Sequence, residues 1–267
     1  MIHKIVYNKK LLIILISSLY FSGCNRKELD IEKLQSKTAE EIYSIGTKYK
    51  NSKKYEDAVL AFEEVSNQHP YSKYVAEAQL EVGKCYLKLK KYEDAVAVLE
   101  TFIQTHITHE KVPEALYMLG EIHFNKMPIV QRDQKTTVQA LEYFQELCRS
   151  YPNSEYISKA KEKISILLQH LANHELKIGL YYQKLNNYTA AIARYNTIIE
   201  SYDTTEVAEE AYYRLVECYI SLGLLKEANV VNIVLQQKYK NSNWIKLSNN
   251  LISKYSNNNV KYNNKRR

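Results

Sequence analysis

Glycine and proline are scarce in this chain, with six and four copies among 267 residues. These residues punctuate the turns of strand-rich folds, and their scarcity argues against sandwiches and barrels built from many short strands. Hydrophobic residues make up 45% of the chain, which is enough to bury a substantial core. The sequence therefore predicts an all-α protein.

Catalytic motifs are also missing from the sequence. It contains no glycine-rich phosphate loop, no Gly-x-Ser-x-Gly and no His-Glu-x-x-His. No pair of carboxylates stands apart from the solvated helix faces. We therefore expect a binding scaffold without a cofactor rather than an enzyme.

Metal ligands and disulfides are weakly represented as well. His170 and His174 are four residues apart, a spacing that can pair two metal ligands, but no carboxylate motif completes a site. We therefore expect no metal. Apart from Cys24, the cysteines are Cys85, Cys148 and Cys218, an odd number that favours buried thiols over a disulfide framework and leaves a single disulfide open.

The excess of positive charge is modest. The net charge is +7, and three of these charges, on Lys4, Lys9 and Lys10, lie in a segment that we expect to be removed, which leaves +4. The remaining lysines are spread over helix surfaces rather than gathered in a basic patch with aromatic residues. Nucleic acid is therefore not an expected partner.

No hydrophobic run is long enough to cross a bilayer, which takes about 20 residues. The longest N-terminal run, Leu11 to Phe21, follows three lysines and precedes Ser22, Gly23 and Cys24. This order predicts a secretory signal. Its end resembles a bacterial lipobox, which implies lipidation of Cys24, although Phe21 stands where that motif usually has an aliphatic residue. An ordinary signal peptide with an incidental cysteine is the alternative.

A pattern of small and large residues recurs five times. In its second copy, Ala95 is followed by Leu99, Phe102 and His106 at offsets of 4, 7 and 11, which place them on one helical face. A preceding helix carries Gly83, so two helix backbones can approach closely. The pattern resembles the tetratricopeptide repeat (TPR), which implies a solenoid of five helical hairpins. The recurring alanines are Ala58, Ala95, Ala140, Ala191 and Ala228, and the first helices carry Gly46, Gly83, Gly120, Gly179 and, in the fifth copy, Val216.

The spacing between copies is uneven. Successive alanines are 37, 45, 51 and 37 residues apart. The interval of 45 predicts an inserted loop that begins near Met127-Pro128, because proline cannot continue the preceding helix. The interval of 51 coincides with an apolar stripe from Tyr156 to Leu185, which predicts one bridging helix about 45 Å long.

These observations divide the chain into five segments. Residues 1–23 are expected to form the signal peptide and residues 24–38 an N-terminal tether. Residues 39–152 would form a sub-array of three repeats, and residues 153–240 the long helix with repeats 4 and 5. The Asn- and Lys-rich residues 241–267 are expected to be disordered.

Several further motifs accompany the Cys24 lipobox, the repeats and the long helix. They are the junctions His69-Pro70-Tyr71-Ser72 and Ser150-Tyr151-Pro152-Asn153-Ser154-Glu155-Tyr156, and the segments Leu180-Tyr181-Tyr182 and Ala191-Ile192-Ala193-Arg194. With these features, the arrangement resembles the BamD family, the helical-repeat lipoproteins of the outer-membrane β-barrel assembly machinery, over about residues 24 to 240. The resemblance implies a monomeric scaffold within a hetero-complex of a Gram-negative bacterium, attached by lipid to the periplasmic face of the outer membrane.

Two binding surfaces follow from this resemblance. Arg194 matches a family arginine that contacts the last POTRA domain of the BamA-like barrel subunit, and an ordinary surface arginine is the alternative. The first helices imply a concave groove for C-terminal targeting segments of unfolded outer-membrane proteins, with inter-repeat packing as the alternative. Its candidate residues are Tyr43, Thr47, Lys50, Leu80, Lys84, Leu87, Tyr117, Glu121 and Phe124.

Other functions remain open at this point. A repeat lipoprotein with a different role in the cell envelope would carry similar hairpins. Examples are a pilus pilotin and a peptidoglycan or cell-division coordinator. A periplasmic hydrolase is disfavoured because few residues remain for a catalytic domain.

Overall fold

The structure is a computed structural model that describes Leu29 and residues 31–264. A 3-10 turn, Ile31–Leu34, precedes eleven α-helices within this range, and no strand occurs there. The all-α TPR prediction is confirmed. The helices are α1 Ala39–Asn51, α2 Tyr55–Gln68, α3 Tyr74–Lys88, α4 Tyr92–Thr105, α5 Val112–Asn125, α6 Lys135–Ser150, α7 Ile157–Lys184, α8 Tyr188–Ser201, α9 Ala208–Ser221, α10 Leu225–Lys238 and α11 Asn243–Asn264.

The recurring glycines allow the two helices of a hairpin to meet. A Cβ atom on Gly46 would lie 2.7 Å from the Phe62 ring, and Cβ atoms on Gly120 and Gly179 would lie 2.5 Å from Phe144 and 2.4 Å from Tyr195. All three rings are fully buried. The small residue of the first helix therefore fits the large residue of the second.

The turns within the first, second, fourth and fifth hairpins share one geometry. The residues at the left-handed position are Lys53, Lys90, Asn186 and Gly223, with φ between 58° and 77°. The amide after each of them donates to a tyrosine carbonyl in the last turn of the preceding helix, as Lys91 N–H does to Tyr86 at 3.0 Å. This is the Schellman arrangement, which satisfies carbonyls that the helix end leaves free. It ends the first helix where the sequence placed the break.

The described residues separate into two compact units, one up to Val98 and one from Leu99 onward. The sequence instead placed the division between residues 152 and 153. Helix α7 explains the difference, because it packs against α6 as well as α8 and so joins repeats 3, 4 and 5. The core of the first unit includes Ile42, Phe62 and Val82, and that of the second includes Leu176, Tyr195 and Leu215.

Helix α7 is a single helix of 28 residues, about 42 Å long. It begins and ends within one residue of the predicted boundaries. Ala160, Leu167 and Leu171 of the apolar stripe are buried. The predicted bridging helix is confirmed.

The C-terminal residues differ from the expectation of disorder, because residues 243–264 form α11. Leu251 and Ile252 of α11 pack against the buried residues Val216, Ile220 and Ala228. Trp244 packs against Tyr213 of α9, with ring centroids 5.1 Å apart. Burial of these apolar side chains orders a segment whose Asn-rich composition suggested a solvated tail. Cys24 and the predicted signal peptide lie outside the described residues.

Candidate functional site

The predicted groove residues of the first unit are occupied by contacts within the unit. The Tyr43 ring lies 5.4 Å from both Phe62 and Tyr74. The Thr47 hydroxyl donates to the Tyr43 carbonyl at 3.0 Å. Leu80 is buried, so it belongs to the core, and Leu87 is half-buried.

The two predicted groove lysines meet at one carboxylate. Lys50 Nζ lies 2.5 Å from one oxygen of Glu81, and Lys84 Nζ lies 3.2 Å from the other. The Glu81 side chain is only 11% exposed. The three side chains together have a net charge of +1, so Glu81 offsets one of the two charges that a peptide carboxylate would meet.

The groove residues of the second unit contact α7 and Tyr156, the residue that precedes it. Tyr117 stacks on Tyr156 with ring centroids 5.0 Å apart. Lys163 Nζ lies 3.9 Å from the Phe124 centroid and 3.2 Å from Glu121. Aromatic pairing and the cation–π contact help to hold α5 against α7.

Arg194 on α8 is half-exposed and has one ion-pair partner. Its Nη1 donates to Glu175 Oε2 on α7 at 3.1 Å, and the side chains are 42% and 15% exposed. Among the described residues, no partner contacts its Nε and Nη2 atoms. Those two atoms form the edge that binds a carboxylate through two parallel hydrogen bonds.

Arg214 on α9 has the opposite arrangement. Its Nε and Nη2 donate to Glu210 Oε1 at 3.0 and 2.8 Å, and its Nη1 donates to Glu217 at 2.9 Å. Its guanidinium also lies 5.6 Å from the Trp244 ring. The donors of Arg214 are used inside the unit, whereas one edge of Arg194 faces no described partner.

The two histidines weighed as metal ligands contact a loop. His174 Nδ1 lies 2.5 Å from the Val130 carbonyl, and the Pro128 carbonyl lies within hydrogen-bonding reach of His170. In the described part of the chain, no group of three or more His, Cys, Asp or Glu side chains could hold a metal ion.

The described cysteines are free thiols. Cys85 and Cys218 are fully buried, and burial raises their pKa values to about 11 and about 12. Cys148 is half-buried. Buried thiols with raised pKa values are poor nucleophiles, which fits a structural role.

Sequence reasoning missed Glu81, Glu175 and Trp244. The junction before Trp244 contained a usable signal. Ser242 stands two residues before Trp244, as Ser154 does before Tyr156, and each serine oxygen accepts from the backbone amide of the aromatic residue, at 3.2 and 3.3 Å. For Glu175 there was no such signal, because Arg194 lies 19 residues away. Glu81 has a local partner in Lys84, three residues later, but its pairing with Lys50 spans 31 residues and could not be read from spacing.

The family of this chain follows from comparison with known proteins. The model of the YfiO family, described as outer membrane lipoprotein, matches residues 35–233. The outer membrane protein assembly factor BamD of Rickettsia prowazekii is 32% identical over 93% of this chain and 98% of its own length. The chain belongs to this BamD (YfiO) family.

A second BamD family member gives the same assignment. BamD of Caulobacter vibrioides is 32% identical over 79% of this chain and 69% of its own. Among solved structures, the MamA protein aligns with a TM-score of 0.35 and 21% identity, over 76% of this chain and 92% of MamA, a similarity too low to add to the assignment. The chain is thus an outer membrane protein assembly factor, in a family of non-enzymatic proteins. None of the described helices is both long and apolar enough to cross a bilayer.

Proposed function

We propose that this BamD family member is a scaffold attached by lipid to the periplasmic face of the outer membrane. It docks on the POTRA-bearing, BamA-like barrel subunit through Arg194 and receives C-terminal segments of unfolded outer-membrane proteins. Residues 1–23 would be removed as a signal peptide, and Cys24 would carry the lipid ahead of a tether, residues 24–38.

The exposed edge of Arg194 is the observation that most supports the docking site. Glu175 engages a single nitrogen and leaves the Nε–Nη2 edge for a carboxylate of the partner. A guanidinium offers two parallel hydrogen bonds in a fixed geometry, which a lysine does not reproduce. The saturated contacts of Arg214 make that arginine a structural residue by contrast.

The test is co-purification of the barrel subunit with tagged wild type, Arg194→Ala and Arg194→Glu. Wild type should retain the POTRA-bearing subunit, Arg194→Ala should retain several-fold less, and Arg194→Glu should lose it, because truncating one partner of an interfacial charge pair slows association and speeds dissociation. Arg149→Ala and Arg149→Glu are matched controls, because Arg149 is an exposed helix arginine that pairs with Glu146 three residues earlier. Equal loss with the Arg149 variants would refute Arg194 as the docking residue.

The groove is the proposed site for substrate segments. In the first unit, Glu81 and Lys84 of the positively charged Lys50–Glu81–Lys84 cluster act electrostatically on Tyr43, whose ring lies 5.4 Å from Tyr74. An aromatic residue near a terminal carboxylate would match this chemistry. The many contacts of Tyr117, Glu121 and Phe124 with α7 leave those three residues mainly a packing role, so we assign the segment to the first unit.

A further inference from the structure

The inserted loop between α5 and α6 is held in one shape from within. The Gln134 side chain, 7% exposed, donates to the carbonyls of Ile129, Val130 and Arg132 at 3.1, 3.4 and 2.9 Å. Its Oε1 accepts from the Thr137 hydroxyl at 2.7 Å. One buried amide therefore hydrogen-bonds to three backbone carbonyls of the loop and restricts its conformation.

Helix α7 fixes the same loop from outside. The contacts of His174 with the Val130 carbonyl and of His170 with the Pro128 carbonyl lie on either side of Ile129. Burial lowers the pKa of His170, and the Pro128 carbonyl partly opposes this shift. His170 and His174 are one turn apart on α7, so both imidazoles lie against the same short stretch of loop backbone, and His174 makes the close contact.

The residue between these contacts is exposed. Ile129 has 64% of its surface accessible, and the nearby Lys126 and Arg132 are also exposed. An ordered loop that presents an apolar side chain between two positive charges is preorganised for binding, because little further entropy is lost when a partner covers it.

The loop and Arg194 meet the same turn of α7. His174 contacts the loop, and the next residue, Glu175, contacts Arg194. Consecutive residues of a helix are 1.5 Å apart along its axis and 100° apart around it, so the two contacts lie at one level of α7 on neighbouring sides. A specific interface typically covers about 800 Å² on each partner, so a partner that docks at Arg194 would extend along this level of α7 toward the loop.

We infer that the loop is a second contact for the barrel subunit, with Ile129 entering an apolar socket rimmed by carboxylates that face Lys126 and Arg132. This inference rests on the proposed docking function. His170, His174 and Gln134 are positioning residues that hold the loop in the binding shape. A lipid surface is the weaker alternative, because one isolated apolar side chain adds little membrane affinity.

The experiment measures dissociation constants between the lipidated full-length protein and the purified barrel subunit, both in detergent. Ile129→Ser should weaken binding about tenfold, and His174→Ala two- to threefold. Arg132→Glu should slow association and weaken its dependence on salt. The matched control is Ile107→Ser in the α4–α5 connection, since Ile107 is 69% exposed and lies outside the loop. It should bind as wild type does.

The outcomes separate the two proposals. If Arg194→Ala weakens binding while Ile129→Ser does not, the docking function stands and the loop inference is overturned. If wild type does not bind the subunit at all, both are overturned. Loss of adsorption to phosphatidylethanolamine–phosphatidylglycerol vesicles by Ile129→Ser, with subunit binding unchanged, would overturn the inference in favour of the lipid surface. If His174 positions the loop, the backbone amides of residues 126–134 should exchange hydrogen faster in His174→Ala than in wild type. Unchanged exchange rates would contradict the positioning role.

Discussion

At the scale of single residues, the glycine of each hairpin is a packing residue. Gly46→Ala would place a methyl group 2.7 Å from the fully buried Phe62 ring. Because overpacking of a close-packed core costs about 1 to 3 kcal/mol, we expect Gly46→Ala to lower the free energy of unfolding by about 2 kcal/mol. Urea denaturation followed by circular dichroism measures this change.

Two further variants test the cause of that loss. Phe62→Leu in the Gly46→Ala background should recover part of the stability, because it removes the clashing ring atoms. Ser165→Ala, on an exposed face of α7, should stay within about 0.5 kcal/mol of wild type. If Gly46→Ala had the same urea midpoint as wild type, α1 and α2 would be able to move apart without loss of stability.

Glu81 gives a second residue-scale prediction. Glu81→Gln removes the charge that offsets Lys50 and Lys84, so the cluster would change from +1 to +2. We expect a peptide with an aromatic residue and a free C-terminal carboxylate to bind the Glu81→Gln protein two- to fivefold more tightly than wild type. Fluorescence anisotropy of a labelled peptide measures the change.

The control peptide has the same sequence with an amidated C-terminus. Its affinity should be nearly the same for wild type and Glu81→Gln, because it presents no carboxylate to the lysines. Equal tightening for both peptides would mean that Glu81 acts on the groove shape rather than on its charge.

At the scale of elements, α11 caps the last repeat through partly polar contacts. Asn232 stands where the other hairpins have Phe62, Leu99, Phe144 or Tyr195, and its amide donates to Asn249 at 2.8 Å. Asn232 Oδ1 and the buried Ser248 Oγ have no hydrogen-bond partner among the described residues. Unpaired buried polar atoms reduce the stability of an interface.

We therefore expect α11 to separate before the rest of the second unit unfolds. Trp244 is the sole tryptophan of the chain, so its fluorescence reports α11 directly. In urea, the fluorescence midpoint should fall below the circular dichroism midpoint, whereas two-state unfolding would make the two transitions coincide. Asn232→Leu should bring the midpoints closer by removing a buried polar group.

The elements also show how far the sequence determines the fold. The hairpins and α7 could be predicted because local periodicity encodes them, and the Gly46–Phe62 fit is encoded in a fixed spacing. The site was harder to predict, because the pairing of Glu175 with Arg194 and of His174 with the loop depends on tertiary contacts. Helix α11 was missed because composition outweighed the Ser242–Trp244 junction signal.

At the scale of the whole molecule, the proposed anchor predicts where the protein is found. Cys24→Ala should move the protein from the membrane fraction to the soluble periplasmic fraction, because α1–α11 include no helix suited to crossing a bilayer. Immunoblots of fractionated cells measure this change. Cys148→Ala, which leaves the proposed lipid site intact, should remain with the membrane. Retention of Cys24→Ala in the membrane when Arg194→Glu is also present, so that the barrel subunit does not hold the protein there, would contradict the proposed anchor.

Because α7 is continuous, its length fixes the rotation of the helices that follow it in the second unit relative to those that precede it. Adding one residue between His174 and Glu175 would turn everything after it by 100° and advance it by 1.5 Å, so Glu175 and Arg194 would rotate away from the loop that His170 and His174 hold. Changes of seven or eleven residues nearly restore the angle. Over evolutionary time, insertions and deletions in this helix should therefore be accepted mainly when they add or remove close to a whole number of turns.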